Sequence, residues 1–354
     1  MEKLSRGYII PSAAYGISNK LVKGYRTIDK SPEIGDLVYG IVTRIGQHNS
    51  LENSQGRIHN IFQGSKAVFT FGNRYAPDYY EGIVPDSLVE DVDLLARSGL
   101  VGLVKAKSSK VIDPTRIKVL GYACDKQGDI INTKNHPLIV PKTTQKKFPR
   151  AKMILVVGTA MNSGKSAAAV SCCRALSLSG HEVRGTKVTG TASLKDILHM
   201  NDAGASYYAD FSYLGYPSTY LLSEEETLHI FNSLDLKYAN NRENYWVVEL
   251  ADGINQRETS MLLKSEEVRR RIHKLIFCAA DAFGAIGGLE VLKKHFDLTP
   301  DAISGVCSSS PLHIKELEAF TEVPIFDSMN ADTKMLVDIL CRPKRRSKGK
   351  VIKV

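Results

Sequence analysis

Gly164-Lys165-Ser166 lies between an apolar run, Met153 to Val157, and a helix-forming run, Ala167-Ala168-Ala169-Val170. Strand, small-residue loop, Gly-Lys-Ser and helix in that order lay successive backbone N–H groups around a phosphate-sized hollow at the positive end of a helix. The expected cradle is Gly158, Thr159, Asn162, Ser163, Gly164, Lys165, Ser166 and Ala167. Lys165 would neutralise the outer phosphates of a polyphosphate, and the Ser166 hydroxyl would ligate Mg²⁺. Gly164 lets the backbone come close. The spacing is offset: the usual first-glycine position holds Thr159, with Gly158 one place earlier.

Magnesium takes hard oxygen ligands. Three side chains are candidates: Ser166, Glu249 and Asp202. Glu249 ends the apolar strand-like run Tyr245 to Val248, and Asp202 lies in Met200–Ala205. In open α/β sheets, side chains at the carboxyl ends of strands face the ligand crevice. Lys187 closes a further strand-like run and precedes Val188-Thr189-Gly190. There it either steadies a transferring phosphoryl group or is an edge lysine reaching to water. Arg257 and Glu258, in the polar stretch 252–259, either line a substrate site or pair on the surface.

Residues 151–340 are expected to supply the frame. Strands are expected at 152–157, 181–188, 219–222, 245–250, 274–279, 302–307 and 323–326. Helices are expected at 165–178, 193–208, 224–240, 287–295, 312–320 and 331–340. Ser223 and Glu226 form a capping-box pattern. Such alternation predicts a mostly parallel sheet covered on both faces.

Residues 1–133 have another texture. Glycine-punctuated, β-branched runs at 35–46, 67–71, 99–105, 117–122 and 129–132 predict a small β-barrel or sandwich. Within it, Phe69 to Tyr80 concentrates aromatics around Arg74 in an apparent loop. That loop either stacks bases or a ligand, or is pinned by its tyrosines. The stretch 134–150 is proline- and lysine-rich and reads as a linker.

At 354 residues and net charge +9 the chain is long enough for two domains. Seven cations and no acid fall in the tail 341–354, so the body is near neutral. A basic tail either solubilises or touches nucleic acid or another anionic partner. No apolar run reaches membrane-span length. The first ten residues carry no secretory pattern. The six cysteines show no CxxC spacing, which suits reduced thiols and a cytoplasmic location.

Residues 151–340 resemble the dethiobiotin synthetase and cobyrinic acid diamide synthase group of SIMIBI-type P-loop enzymes. The resemblance rests on Gly158-Thr159 … Gly164-Lys165-Ser166, Lys187-Val188-Thr189-Gly190, Asp202, and Glu249-Leu250-Ala251-Asp252-Gly253, in that order. It implies that Lys165 contacts ATP phosphates, that Ser166, Asp202 and Glu249 hold Mg²⁺, and that Lys187 assists phosphoryl transfer. It also implies ATP-driven activation of a small carboxylate that an amine then attacks, and a homodimer. Leu250 and Asp252 stand where that family has glycines, and Val188 where it has proline. MinD-type relatives carry an extra lysine early in the loop, where this chain has Ala160 and Met161.

Two functions follow as expectations. One is an ATP-dependent ligase or phosphoryl-transfer enzyme acting on a small carboxylate or amine. The other is a nucleotide-switched ATPase that regulates assembly with protein or nucleic acid.

Overall fold

The structure is a computed structural model that describes residues 1–5, 7–141 and 145–342. The chain forms two compact units. The first comprises Met1–Val140, Gly190–Lys195 and Asp210–Leu222; the second comprises Pro141–Thr189, Asp196–Ala209 and the chain from Ser223 onward.

The first unit contains β1 (Gly24–Arg26), β2 (Leu37–Arg44), β3 (Ser50–Glu52), β4 (Ile58–Asn60), β5 (Lys66–Phe71), β6 (Arg74–Tyr75), β7 (Tyr80–Ile83), β8 (Asp91–Ala96), β9 (Leu100–Lys107) and β10 (Thr115–Cys124). β2 pairs with β5, β5 with β9, β9 with β8, β8 with β10, and β10 returns to β2. Following those pairings round gives a closed five-stranded barrel, which removes the open edges a sheet this small would present. Val38, Val42, Phe69, Phe71, Leu94, Val101 and Ile117 share one buried cluster. Leu37 and Tyr39, on the other face of β2, enter a second buried cluster. β2 is therefore buried on both faces, which is why its apolar pattern is nearly continuous.

β8 was not anticipated from its sequence, because Asp91 and Asp93 give the run the polar look of a loop. Asp93 is instead satisfied: Arg116 Nη1 donates to it at 2.7 Å and the Val104 amide at 3.0 Å. Residues 129–132, expected as a strand, make only isolated bridges, Cys124 with Ile130 and Asp36 with Asn132.

The Phe69–Tyr80 stretch is not an open loop. Its first residues end β5, and β6 and β7 pair as a hairpin. Arg74 is only 7% exposed. It donates to His48 Nε2 at 2.9 Å and lies 5.3 Å from the Tyr79 ring centre. Tyr80 donates to the Ile112 carbonyl at 2.6 Å. Phe69, Phe71 and Tyr80 are fully buried, so much of the segment packs into the barrel, while Tyr75 and Tyr79 stay half-exposed.

The second unit holds β11 (Lys152–Gly158), α1 (Lys165–Leu178), β12 (Val183–Lys187), α2 (Leu194–Asp202), β13 (Tyr207–Asp210), α3 (Glu224–Tyr238), β14 (Tyr245–Glu249), α4 (Arg257–Lys264), α5 (Glu266–Arg271), β15 (Ile272–Cys278), α6 (Ala282–Phe296), β16 (Ala302–Ser304), α7 (Pro311–Phe320) and α8 (Thr333–Cys341). Its sheet runs β13-β12-β14-β11-β15-β16. The pairings β12–β14, β14–β11, β11–β15 and β15–β16 are all parallel. β11 sits centrally and is buried from Met153 to Val157, as a strand covered on both faces must be. α1 packs Ala168, Cys172 and Leu176 onto it. The Ser223–Glu226 capping box starts α3.

Several segments differ from the sequence expectation. The helix expected at 193–208 stops at Asp202, and Tyr207–Asp210 becomes the edge strand. Residues 219–222 and 323–326 form no strand; the nearby pairings are single bridges, Thr191 with Ser218 and Ile303 with Ile325. β16 ends at Ser304, and α6 begins at Ala282, where the Asp281 side chain accepts the Gly284 amide at 2.6 Å. The polar stretch after Gln256 forms α4 and α5.

In the stretch expected as a linker, Lys146 and Arg150 each lie 3.1 Å from the buried Asp235 carboxylate on α3. Residues 343–354 of the basic tail lie outside the described residues. Among the described residues no helix is long and apolar enough to cross a membrane.

Candidate functional site

β11 delivers the chain to Gly158, and the Thr159 amide then donates to the Cys278 carbonyl at 2.9 Å, turning the backbone out of the sheet. The loop takes left-handed conformations at Asn162 (φ 62°) and Gly164 (φ 94°) before α1 starts at Lys165. Two neighbouring strand ends close around it. A Cβ on Gly253 would lie 2.2 Å from the Thr159 carbonyl oxygen, and one on Gly305 would lie 2.2 Å from that of Ser163. Only glycine allows these approaches. The loop is thus a fixed turn with the first amides of a fourteen-residue helix behind it, the geometry of an anion cradle.

Lys165 is 5% exposed. Its Nζ folds back on the loop, donating to the Ala160 carbonyl at 2.7 Å and to Ser163 Oγ at 3.4 Å. Burial holds its pKa below the ordinary lysine value, against the pull of Glu249. Ser166, in the first turn of α1, donates to Glu249 Oε1 at 2.9 Å. Glu249 is 1% exposed at the end of β14, directly beside β11. Burial raises its pKa, while Lys187 and Lys165 act to lower it. Its Oε2 is buried with no hydrogen-bond partner.

Lys187, at the end of β12, lies 3.8 Å from Glu249 Oε1 and is ion-paired with Asp196. Burial opposes its charge, but Asp196 and Glu249 together hold its pKa above the ordinary lysine range. It is therefore a buried ammonium between two acids and not a lysine reaching to water.

Asp202 is exposed at the C-terminal end of α2. The acid that meets Lys187 is Asp196, in the first turn of that helix. Six residues along a helix correspond to about 9 Å, so the two are not interchangeable. Sequence reading passed over Asp196; its position just after Ser193, where a helix could begin, was the available signal.

The donor set fits a magnesium ion. A buried, unsatisfied carboxylate oxygen and a hydroxyl are hard ligands held together at the mouth of a phosphate cradle. Among the described residues no group of three or more His, Cys, Asp or Glu could hold a metal. A small protein ligand set is what Mg²⁺ uses when phosphates and water complete its shell.

Arg257 and Glu258 pair at 2.7 Å; Glu258 is fully buried, and Gln256 also donates to it. The pair holds the start of α4. The segment 305–310 forms a short 3₁₀ turn in which the Ser308 and Ser309 hydroxyls donate to the backbone carbonyls of Gly305 and Val306.

No protein-family model matches the chain, and no curated protein matches it. Among solved structures, it is similar to the signal recognition particle receptor FtsY from Elizabethkingia anophelis in complex with GDP, with TM-score 0.35 and 11% identity over 56% of this chain and 66% of that one. A second structure of that receptor gives 0.33 and 11%, over 56% and 67%. FtsY from Mycoplasma mycoides gives 0.32 and 13%, over 55% and 69%. The alignments span about two thirds of those chains. Similarity this distant carries no argument about function, which rests on the geometry of the loop and its partners.

Proposed function

We propose that the second unit is a Mg²⁺-dependent nucleoside triphosphatase of the P-loop type. The triphosphate lies in the cradle Gly158–Ala167, with Lys165 turning from the Ala160 carbonyl to the outer phosphates. Ser166 and Glu249 would hold Mg²⁺, which would withdraw charge from the phosphate oxygens. Lys187, kept charged by Asp196 and Glu249, faces the terminal phosphoryl group. The observation that carries this reading is the Ser166–Glu249 contact beside a buried, unsatisfied Glu249 oxygen. ATP as the nucleotide, and a homodimer, come from the resemblance of residues 151–340 alone.

Leu250 and Asp252 occupy positions where the resembled ligases have glycines, and Leu250 is buried. A bulky side chain and an acid at those positions change the approach to the backbone that glycines would leave open. This favours a triphosphatase whose cycle is read by a partner over a ligase. Ligation of a small carboxylate and amine is the second reading, supported by the buried charge of Lys187.

Calorimetric titration with ATP and with GTP in Mg²⁺ tests the proposal. Wild-type protein is expected to bind at least one of them, and Lys165→Met to lose at least about tenfold in affinity, the scale of one charge-assisted contact. No binding of either nucleotide by the wild type would end the reading. Turnover that rises with small carboxylates or amines would favour ligation; turnover that rises only with a macromolecular partner would favour the switch.

A further inference from the structure

Lys187 closes β12, and Asp196, its ion-pair partner, sits in the first turn of α2. Between the two the chain leaves the second unit: Gly190–Lys195 belongs to the first. Within the first unit that excursion is held along its length. The Gly190 amide donates to Thr219 Oγ1 at 2.8 Å, and the Thr219 amide donates back to the Gly190 carbonyl at 2.9 Å. The Ala192 amide donates to the Pro217 carbonyl at 3.0 Å. Leu194, the first residue of α2, is 3% exposed, and its amide donates to Glu52 Oε2 at 3.1 Å.

Glu52 ends β3 and is buried. The Ser12 hydroxyl donates to the same carboxyl oxygen, and the Glu52 amide donates to the Arg97 carbonyl at 2.8 Å. The first amides of an α-helix have no partner inside the helix, and an acidic acceptor suits its positive end. Glu52 supplies that acceptor to α2 from a strand remote in sequence. Asp196 lies two residues on from Leu194, so the start of the helix decides where its carboxylate meets Lys187. Lys187 in turn lies 3.8 Å from Glu249 Oε1, the oxygen that accepts from Ser166. A continuous series of contacts and one helical turn therefore runs from Glu52 to the ammonium beside the Ser166–Glu249 pair.

Resting on the triphosphatase reading, we infer that Glu52 is a positioning residue for phosphoryl transfer. By accepting the first amide of α2 it fixes Asp196, and through Asp196 it holds the Lys187 ammonium where the terminal phosphoryl group is met. Glu52 touches neither nucleotide nor metal. Its influence falls on Lys187, hence on the terminal phosphate and not on the two that a diphosphate shares. A misplacement of about 1 Å at a reacting centre can cost about 100-fold in rate, even when its origin is far from the chemistry.

Glu52→Ala and Glu52→Gln together test this, since glutamine keeps an acceptor for the Leu194 amide and alanine does not. Glu52→Ala is expected to lower turnover at least about tenfold, within the range that misplacement of a catalytic group produces. Triphosphate binding should weaken severalfold relative to diphosphate, with diphosphate affinity within about twofold of wild type, because the lost interaction is made only to the terminal group. Glu52→Gln is expected to restore both quantities toward wild type. The affinity ratio is read even if turnover awaits a partner. In an Asp196→Asn background Glu52→Ala should change that ratio by less than about twofold, because its effect passes through the Asp196 carboxylate. If Glu52→Ala does not fold, Glu52→Asp, which draws the acceptor back by one methylene, takes its place with the same expectations. Wild-type turnover and ratio in the variant that lacks the acceptor, or an effect on the ratio that persists in full beside Asp196→Asn, overturns the inference and leaves the triphosphatase reading standing. Failure of the wild type to bind any nucleotide overturns both.

Discussion

Ser166 Oγ and Glu249 Oε1 meet at 2.9 Å across the boundary between α1 and β14, and the other Glu249 oxygen is buried without a hydrogen-bond partner. β11 and β14 are adjacent and parallel, with Val156 opposite Glu249. The serine just past the phosphate loop and the acid ending the next strand therefore come together as a consequence of sheet order. A buried acceptor left open costs roughly 1–3 kcal/mol, more when charged, so the arrangement is one that a cation would relieve.

Glu249→Gln should remove most of the metal dependence of nucleotide binding. The amide keeps the bond to Ser166 but offers no charge to Mg²⁺. ATP titrations with Mg²⁺ and with EDTA are expected to differ strongly for the wild type and little for the variant. Turnover should fall by about 10²-fold or more, the usual scale for losing one preorganised electrostatic group. Equal magnesium dependence in the two proteins would separate Glu249 from the metal.

Lys165→Met should abolish nucleotide binding without weakening the empty protein. The ammonium is buried, and burial lowers its pKa, so its charge is a cost until a phosphate arrives. Replacing a buried ion by an apolar side chain of similar size is often neutral or stabilising. The melting temperature of the nucleotide-free variant is expected to match or exceed that of the wild type, while the rise caused by added nucleotide disappears. A markedly lower melting temperature would show that the Lys165–Ala160 hydrogen bond holds the loop together.

Much of this was legible in the sequence, and what was not has identifiable causes. Residues 165–178 were read as a helix with the observed bounds, because a fixed start at Gly164 and a stop at Ser179-Gly180 bracket an alanine-rich run. Fully buried strands such as β11 and β14 declare themselves by unbroken apolar residues. The start of α2 is legible to within one residue, but nothing in the sequence says which acid of that helix meets Lys187; the structure brings Asp196 to it and leaves Asp202 exposed at the other end. β8 was missed because its two aspartates look like loop residues until Arg116 and the Val104 amide are brought to Asp93. The aromatic stretch around Arg74 looked exposed because its composition is that of a binding loop; its burial depends on His48 and Ile112, remote in sequence.

His48 should make the barrel sensitive to acid. Burial, with Arg74 beside it, pushes its pKa from the ordinary 6.5 down to about 3. Below pH 6.5 the unfolded chain binds a proton that the folded barrel refuses, so stability falls as pH falls through the window from about 6.5 to about 3. The slope attributable to this one group is about 1.4 kcal/mol per pH unit. His48→Gln, which keeps an acceptor for Arg74 and does not titrate, should show a loss of stability between pH 6 and pH 4.5 that is smaller by up to about 2 kcal/mol at the same slope. Parallel denaturant midpoints for the two proteins across that range would show that His48 is protonated in the folded barrel.

Asp235 should be among the most costly carboxylates in the second unit to neutralise. It is fully buried, and Lys146, Arg150 and Arg271 all approach it, with Arg271 Nη2 at 3.0 Å and the other two at 3.1 Å. Two of these cations, Lys146 and Arg150, come from a stretch whose composition suggests a solvated linker; the structure uses them as counter-charges for α3. Asp235→Asn preserves shape and removes the charge, leaving three cations around a neutral group. Breaking a buried ion pair from one side costs about 3–5 kcal/mol, and at about 2–4 °C per kcal/mol for a unit of this size the melting temperature of the second unit should drop by about 6–20 °C. Because the partners are buried, the loss should persist at high salt, where a surface pair would be screened. A drop of under about 1 kcal/mol, or one that vanishes in salt, would mean that water reaches the three cations and that this segment is held by packing alone.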